Sequence, residues 1–467
     1  MAGKLSTMME DFSLESVPAD MRKPWKELAS FQVGIVTSLA VIMTGGLITF
    51  MAGFWMGMLA SVLAFLISLF FSFLLGKIAF KEGYSSNVIS RAYAFGSRGS
   101  VISSIIMAFM IIGFLGMESV FIGNSILFYF NIEANLTIKI IMYLVMSSIW
   151  ILLSLFGMKM VARVAQITLP FLFLFLIYMI YQLIGNGSIG EVFTHGIMVP
   201  GVSLGGGFAI ALNATITLAG LNALVCTDST RFARSTKDVA KVCLSAGMFM
   251  FIITTLIGAV ITYFGYQTTY NYYLEQGYNA AAASNLAITN PGVTLTLAGG
   301  MIGVLIILLS QAKVQVGNSY EGALSLVNLF DSGFNWKPGR PIMVVLTNII
   351  SLIFIFGDIL HYIEEFLSLG SVLFGVWVTI VLTDYYIYRG VMGKAKRGIE
   401  NLEQLPAFNL SGIITLVLST IIGMVVYQLG WFPIPFVVSV IIAFLLYTTL
   451  CYFKKSIVVE EKQIVSQ

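Results

Sequence analysis

Charge is scarce in this chain: Asp, Glu, Lys and Arg make up only 10% of its 467 residues. Soluble domains carry about 25%, so the deficit excludes an ordinary soluble enzyme. Cysteine and histidine are scarcer still, with 3 and 2 residues. Cys226, Cys243 and Cys451 are scattered in or beside apolar runs, which suggests neither a disulfide framework nor a zinc site. His195 and His361 stand far apart and outside any metal spacing. No P-loop, zinc-protease motif or nucleophile elbow is present, so no catalytic role, cofactor or built-in ATP hydrolysis is expected. The net charge of +3 says little by itself, and no nucleic-acid partner is expected.

What remains is apolar. Hydrophobic residues make up 58% of the chain, and the mean hydropathy is +0.93. Charge-free runs of spanning length recur throughout, which calls for α-helices in a lipid bilayer rather than a β-barrel. Twelve spans are expected, near 31–54, 56–79, 101–130, 136–157, 161–184, 206–226, 240–265, 296–327, 342–357, 364–388, 411–429 and 432–453. Residues 1–30 and 454–467 read as soluble tails, and the first carries no apolar signal segment.

The distribution of charge orients the bundle. With the N-terminus inside, the inner connections and their flanks hold Lys77, Lys81, Arg91, Arg98, Lys159, Arg163, Arg231, Arg234, Lys237, Lys241, Lys337, Arg340, Arg389, Lys394, Lys396 and Arg397, while the outer ones hold only Lys139. The positive-inside rule then places both termini in the cytoplasm of a cell carrying this protein in its plasma membrane.

Two deeply apolar stretches carry a charge. Lys313 follows the run 297–308, and Glu118 lies between Arg98 and Glu133 with no other charge intervening. A charge at the bilayer centre costs roughly 2.5–3.5 kcal/mol on insertion scales, so such residues normally face the bundle interior and serve a pathway. Gln311, Gln315 and Asn318 share one helical face, with Lys313 about 200° away from Gln311. Phe114, Glu118 and Phe121 share another, an aromatic wall with one carboxylate that suits a flat N–H-bearing heterocycle. The bland readings are a structural ion pair between Glu118 and Lys313, or a lysine that snorkels to water past a helix end near Tyr320.

Spans 1 and 6 contain glycine clusters, at Gly34 with Gly45 and Gly46, and at Gly220. Such glycines serve close packing or interrupt a helix. The two spans begin successive five-helix blocks and cross in opposite directions, so interruption at matching positions would mark the central site of a transporter. The tyrosine-rich connection 266–288 is either an interfacial helix or an aromatic belt. The acidic cluster of Asp358, Glu364 and Glu365 beside His361 reads as solvated.

The loop 83–100 (GYSSNVISRAYAFGSRGS) and the segment 227–234 (TDSTRFAR) lie on the same side, after spans 2 and 6. With Asn318, Asn328 and Asp384-Tyr385-Tyr386, they resemble the nucleobase:cation symporter-1 family of cytosine and purine–cytosine permeases and hydantoin transporters. The resemblance runs from about Val17 onward. It implies a leucine-transporter-like all-α fold of 12 membrane helices: a first inverted repeat over 31–205, a second over 206–390, and two additional spans over 391–453. By the same resemblance Ser38, Phe114, Glu118 and Asn318 would bind substrate, and Ala219, Gly220, Asn222 and Gln315 are expected beside them in the site. Gly34 and Thr37 would offer the carbonyls that hold sodium in the family.

Two departures qualify the match. Ala219 stands where the family has an aromatic ring, and Lys313 stands where sodium-using members have a hydroxyl ligand. An ammonium cannot coordinate a cation. Lys313 would instead donate to the carbonyls of Gly34 and Thr37, and by releasing its proton in one conformation it would make protons a coupling partner. The resulting expectation is a permease for a nucleobase or related small heterocycle, sodium-independent and working by alternating access. The alternative is a membrane ligand sensor or membrane-embedded enzyme for the same ligands.

Overall fold

The computed structural model describes residues 12–454 apart from 134, 186, 200 and 401. Residues 1–11 of the first expected tail and 455–467 of the second fall outside the described residues, as do the side chains of His361, Glu364 and Glu365. Residues 12–30 are described, and from Trp25 onward they already belong to the first helix rather than to a tail. Among the described residues the fold is helical throughout, with one isolated β-bridge between Lys23 and Ala233.

Ten single helices are long and apolar enough to cross a membrane, and a bent pair, Trp25–Val36 with Leu39–Ala52, forms an eleventh span. The 17-residue apolar helix Arg340–Phe356 completes the expected set of twelve. In chain order these are span 1 (the bent pair), span 2 (Phe54–Glu82), span 3 (Ser100–Tyr129), span 4 (Leu136–Ser154), span 5 (Met158–Ile184) and span 6 (Leu204–Thr230). Span 7 (Thr236–Glu275), span 8 (Met301–Phe334), span 9 (Arg340–Phe356), span 10 (Phe366–Val391), span 11 (Leu410–Gln428) and span 12 (Pro435–Phe453) follow.

Burial sorts the spans into centre and rim. In spans 3 and 10, 78% of the most apolar window is buried, against 17% in spans 4 and 5 and 28% in spans 11 and 12. The rim helices turn Leu, Ile and Phe outward, as lipid contact requires. The centre is held by small residues that let backbones approach. At Gly45 of span 1 an added Cβ would lie 2.5 Å from the Cα of Thr255 in span 7.

Several boundaries move. Span 7 continues to Glu275, so Tyr266, Tyr270, Tyr272 and Tyr273 belong to its outer turns rather than to a connection. Two short helices follow, Ala280–Thr289 and Pro291–Gly299, and the first buries Ala283, Ala287 and Ile288 against the bundle. Span 8 starts after Gly300, whose φ of +55° breaks the chain, and runs unbroken to Phe334. Lys313 therefore sits twelve residues into a 34-residue helix, fully buried. Snorkelling is excluded by geometry.

The two glycine-bearing spans behave differently. Span 1 does break, by 59°. Span 6 does not: Leu204–Thr230 is one continuous helix, which corrects the expectation of unwound backbone there. Its Gly220 serves packing instead, since a Cβ on it would come 2.8 Å from the Cβ of Phe374 in span 10.

Candidate functional site

The break in span 1 falls at Thr37–Ser38, between the glycine clusters rather than on them. Hydroxyls hold both ends. Thr37 closes the first half, its Oγ1 donating to the carbonyl of Val33 at 2.6 Å. Ser38, in extended conformation, opens the second half as N-cap and accepts from the amide of Val41 at 3.2 Å.

A break inside a membrane protein frees backbone groups that must find partners. Span 8 supplies them from neighbouring residues. The carbonyl of Thr37 accepts from Lys313 Nζ at 2.8 Å and from Ser310 Oγ at 3.1 Å. The amide of Leu39, first in the second half, donates to Gln311 Oε1 at 3.1 Å. Lys313 Nζ also donates to its own helix, to the carbonyl of Ser310 at 2.8 Å. The second expected acceptor, the Gly34 carbonyl, is not among its partners; Thr37 Oγ1 lies 3.4 Å from that oxygen instead. Gly34 is a close-packing position, where an added Cβ would sit 2.6 Å from the Cβ of Ala165.

The carboxylate of Glu118 is fully enclosed by the same helices. Gln311 Nε2 donates to its Oε2 and lies 3.5 Å from its backbone carbonyl. No ion pair joins Glu118 to Lys313 among the described residues. The two buried charges are linked indirectly, through Gln311 and the break in span 1.

Beside this junction lies a cavity of about 30 Å³. Ser38, Phe114, Glu118, Asn222 and Asn318 all line it, with Leu218, Leu221 and Val225 of span 6 and Val314 of span 8. Phe114 is held edge-on by Phe366 of span 10, ring centroids 5.4 Å apart at 71°. Asn222 Nδ2 donates to Ser68 Oγ at 2.9 Å. Asn318 Nδ2 is buried with no hydrogen-bond partner. The cavity thus offers an aromatic edge, a carboxylate acceptor and a free amide donor.

Three expected substrate residues lie elsewhere. Ala219 and Gly220 are not among the cavity-lining residues, because that turn of span 6 presents Leu218, Leu221 and Asn222 to the cavity. Gln315 donates to Leu115 O at 3.0 Å and Ser119 Oγ at 2.6 Å, knitting span 8 to span 3. Conversely, Ser310 and Phe366 carried no signal in the sequence. Gln311 was visible as part of a polar stripe, but nothing local could assign it to the broken span.

The loop motifs also find one another. Asp228 accepts from the amide and hydroxyl of Ser86 at 2.7 and 2.6 Å. Arg91 pairs with Asp331 at 2.7 Å and donates to Asn328 Oδ1 at 2.6 Å. Arg231 reaches the carbonyl of Phe12 at 2.7 Å and the hydroxyl of Tyr320 at 3.2 Å, fastening the N-terminal segment and span 8 to the end of span 6. Nearer the other end, Thr217 Oγ1 donates to Leu367 O at 3.2 Å and ties span 6 to span 10. The small cavity lies between these two closures.

Comparison with known proteins settles what this architecture is. Residues 17–446 match the family described as permeases for cytosine/purines, uracil, thiamine and allantoin. The chain belongs to that permease family. The solved structure of Mhp1, a nucleobase-cation-symport-1 family transporter in a closed conformation with bromovinylhydantoin bound, is similar at 17% identity, with a TM-score of 0.70 and 93% of each chain covered. The inward-facing conformation of Mhp1 gives 0.69 at 16% identity over 94% of each chain. A Na+-coupled sialic acid symporter gives 0.65 at 14% identity, covering 97% of this chain and 96% of the other. No curated protein matched. The permease therefore has the leucine-transporter-type fold and is a multi-pass secondary transporter, not an enzyme.

Proposed function

We propose that this permease carries a small planar heterocycle bearing both N–H donors and a carbonyl or ring-nitrogen acceptor, and that it does so without sodium. The observation that carries the reading is the Lys313 ammonium, fully buried and donating at 2.8 Å to the Thr37 carbonyl at the break in span 1. A cation bridging spans 1 and 8 at this point would hold the two helices together, and here a side chain provides the charge. Nζ has only donors to offer and repels a second cation. Two unit charges 4 Å apart repel by about 4 kcal/mol even at an effective dielectric of 20.

Substrate would lie against Phe114, donating to Glu118 and accepting from Asn318. The cavity of about 30 Å³ holds about one water, whereas ligand pockets usually span about 300–1,000 Å³. Binding then requires the helices to part, as alternating access does. Cytosine, purines, uracil, thiamine and allantoin, named for the family, define the class to screen. The family consists of permeases, which disfavours a sensor or membrane enzyme. The lysine- and arginine-rich connections support cytoplasmic termini in a plasma membrane, and one helix bundle of the repeats 31–205 and 206–390 would rock against the rest around the site.

The test is uptake of radiolabelled members of that class into liposomes in choline buffer free of sodium. Uptake equal to that in sodium buffer is expected. Strict sodium dependence would overturn the sodium-free reading, and binding without lumenal accumulation would favour a sensor.

A further inference from the structure

We infer that Gln311 is a positioning residue that couples the substrate carboxylate, Glu118, to the hinge of span 1; this rests on the reading of Glu118 as a substrate contact. Gln311 is fully buried in span 8 and touches two other helices with opposite ends of one rigid carboxamide. Its Oε1 takes the Leu39 amide at 3.1 Å, and its Nε2 gives to the Glu118 carboxylate.

The orientation is dictated by chemistry. A backbone N–H can only donate, so the atom facing Leu39 must be the oxygen. The nitrogen then necessarily faces Glu118, which must accept. Gln311 consequently holds Glu118 as an acceptor, the Ser38 hydroxyl is a second partner, and the carboxylate's other lone pairs are left for donors from the cavity. A substrate N–H that draws Glu118 into the cavity competes with Gln311 Nε2. Weakening that bond loosens the carboxamide that caps the second half of span 1. Binding and hinge movement become one event. Ser38 reinforces the same junction from span 1, its hydroxyl accepting from the Val41 amide and bonding to Glu118.

The charged groups acting on this carboxamide are Glu118 from span 3 and Lys313 from its own helix, while span 1 contributes only the hydroxyls of Thr37 and Ser38. This simplicity permits a clean substitution. In Gln311→Glu the protonated carboxylic acid reproduces the carboxamide, its O–H donating to Glu118 and its C=O accepting from Leu39. The ionised form cannot donate and faces a second carboxylate.

The experiment compares thermal unfolding of ligand-free wild type and Gln311→Glu in lipid nanodiscs at acid and alkaline pH. The variant should melt within about 2 °C of wild type near pH 5.5 and roughly 5 °C or more below it near pH 8.5. The acid form keeps both bonds and the ionised form loses them, so that stability is present at low pH and lost as pH rises. An offset independent of pH, or none, overturns the bridge. Should Gln311→Glu not fold, Gln311→Met removes both bonds at similar volume and must speed hydrogen–deuterium exchange in residues 38–42; unchanged exchange overturns the proposal equally.

Cytosine, uracil, adenine, allantoin and thiamine are then titrated. A probe that binds wild type should bind Gln311→Glu normally at acid pH and at least about tenfold more weakly at alkaline pH. A pH profile identical to that of wild type overturns the coupling. If no probe binds wild type while the melting comparison holds, the substrate reading has failed and the bridge between Glu118 and span 1 stands.

Discussion

The ammonium of Lys313 donates at 2.8 Å to the carbonyl oxygen of Thr37, the last residue before span 1 breaks. The bond joins the 34-residue helix of span 8 to the bent span 1, and Ser310 and Gln311 reinforce it from the same turn. Cavity-lining groups and hinge are therefore a single connected structure, and the predictions below probe its parts.

Lys313→Ala leaves Ser310 as the remaining side-chain partner of the Thr37 carbonyl. A buried acceptor that loses a partner costs about 1–3 kcal/mol, so the variant should fold with a lowered melting temperature and lose most uptake. Lys313→Thr should behave differently, because a hydroxyl beside Ser310 and the Thr37 carbonyl restores oxygen ligands for a small cation. Sodium-stimulated uptake is expected in Lys313→Thr and not in wild type. Measuring initial rates across a sodium series checks both, and a Lys313→Ala protein that transports normally would refute the tether.

Glu118→Gln retains shape and one acceptor oxygen while removing the charge. Hydrogen bonds to charged groups are worth about 1.5–3 kcal/mol, so affinity for an N–H-rich ligand should fall roughly tenfold or more. Equilibrium binding to purified protein reads this directly. Wild-type binding and transport by Glu118→Ala would remove Glu118 from the site.

On span 6 the cavity wall includes Leu218 and Leu221 beside Asn222 and Val225, with Ala219 fully buried off the cavity. Leu221→Ala should admit bulkier ligands and change the ranking in a competition assay. Ala219→Phe should overpack the helix interface, costing about 1–3 kcal/mol, without re-ranking ligands. A stable Ala219→Phe protein with an altered ranking would return that position to the cavity wall.

Gly220→Ala places a Cβ 2.8 Å from the Cβ of Phe374, and spans 6 and 10 would have to separate to admit it. A lower melting temperature is expected. Gly205→Ala, with nothing within 4 Å of the added atom, is the control and should be neutral or slightly stabilising through helix propensity. Equal effects at the two sites would show that the close approach at Gly220 contributes nothing.

Much was determined by the sequence alone. Scarce charge and repeated apolar runs dictate a helical membrane protein, because backbone groups in lipid must be satisfied within their own segment. The isolation of Glu118 and Lys313 marked them as interior, since a charge in hydrocarbon is tolerated only with partners. Loop motifs such as 83–100 and 227–234 carried the family, and the match over residues 17–446 agrees. The tertiary structure decided the rest. Glycine lowers the cost of both a break and a close approach, so glycine clusters could not say that span 1 would break while span 6 stayed whole. The break fell at Thr37–Ser38 because hydroxyls there and Ser310, Gln311 and Lys313 on span 8 satisfy the freed carbonyl and amide. Those partners lie more than 270 residues away in sequence, and only packing brings them together. The same physics explains Ala219 and Gln315: helical periodicity states which residues share a face, but the neighbour that each face meets is a property of the assembled bundle.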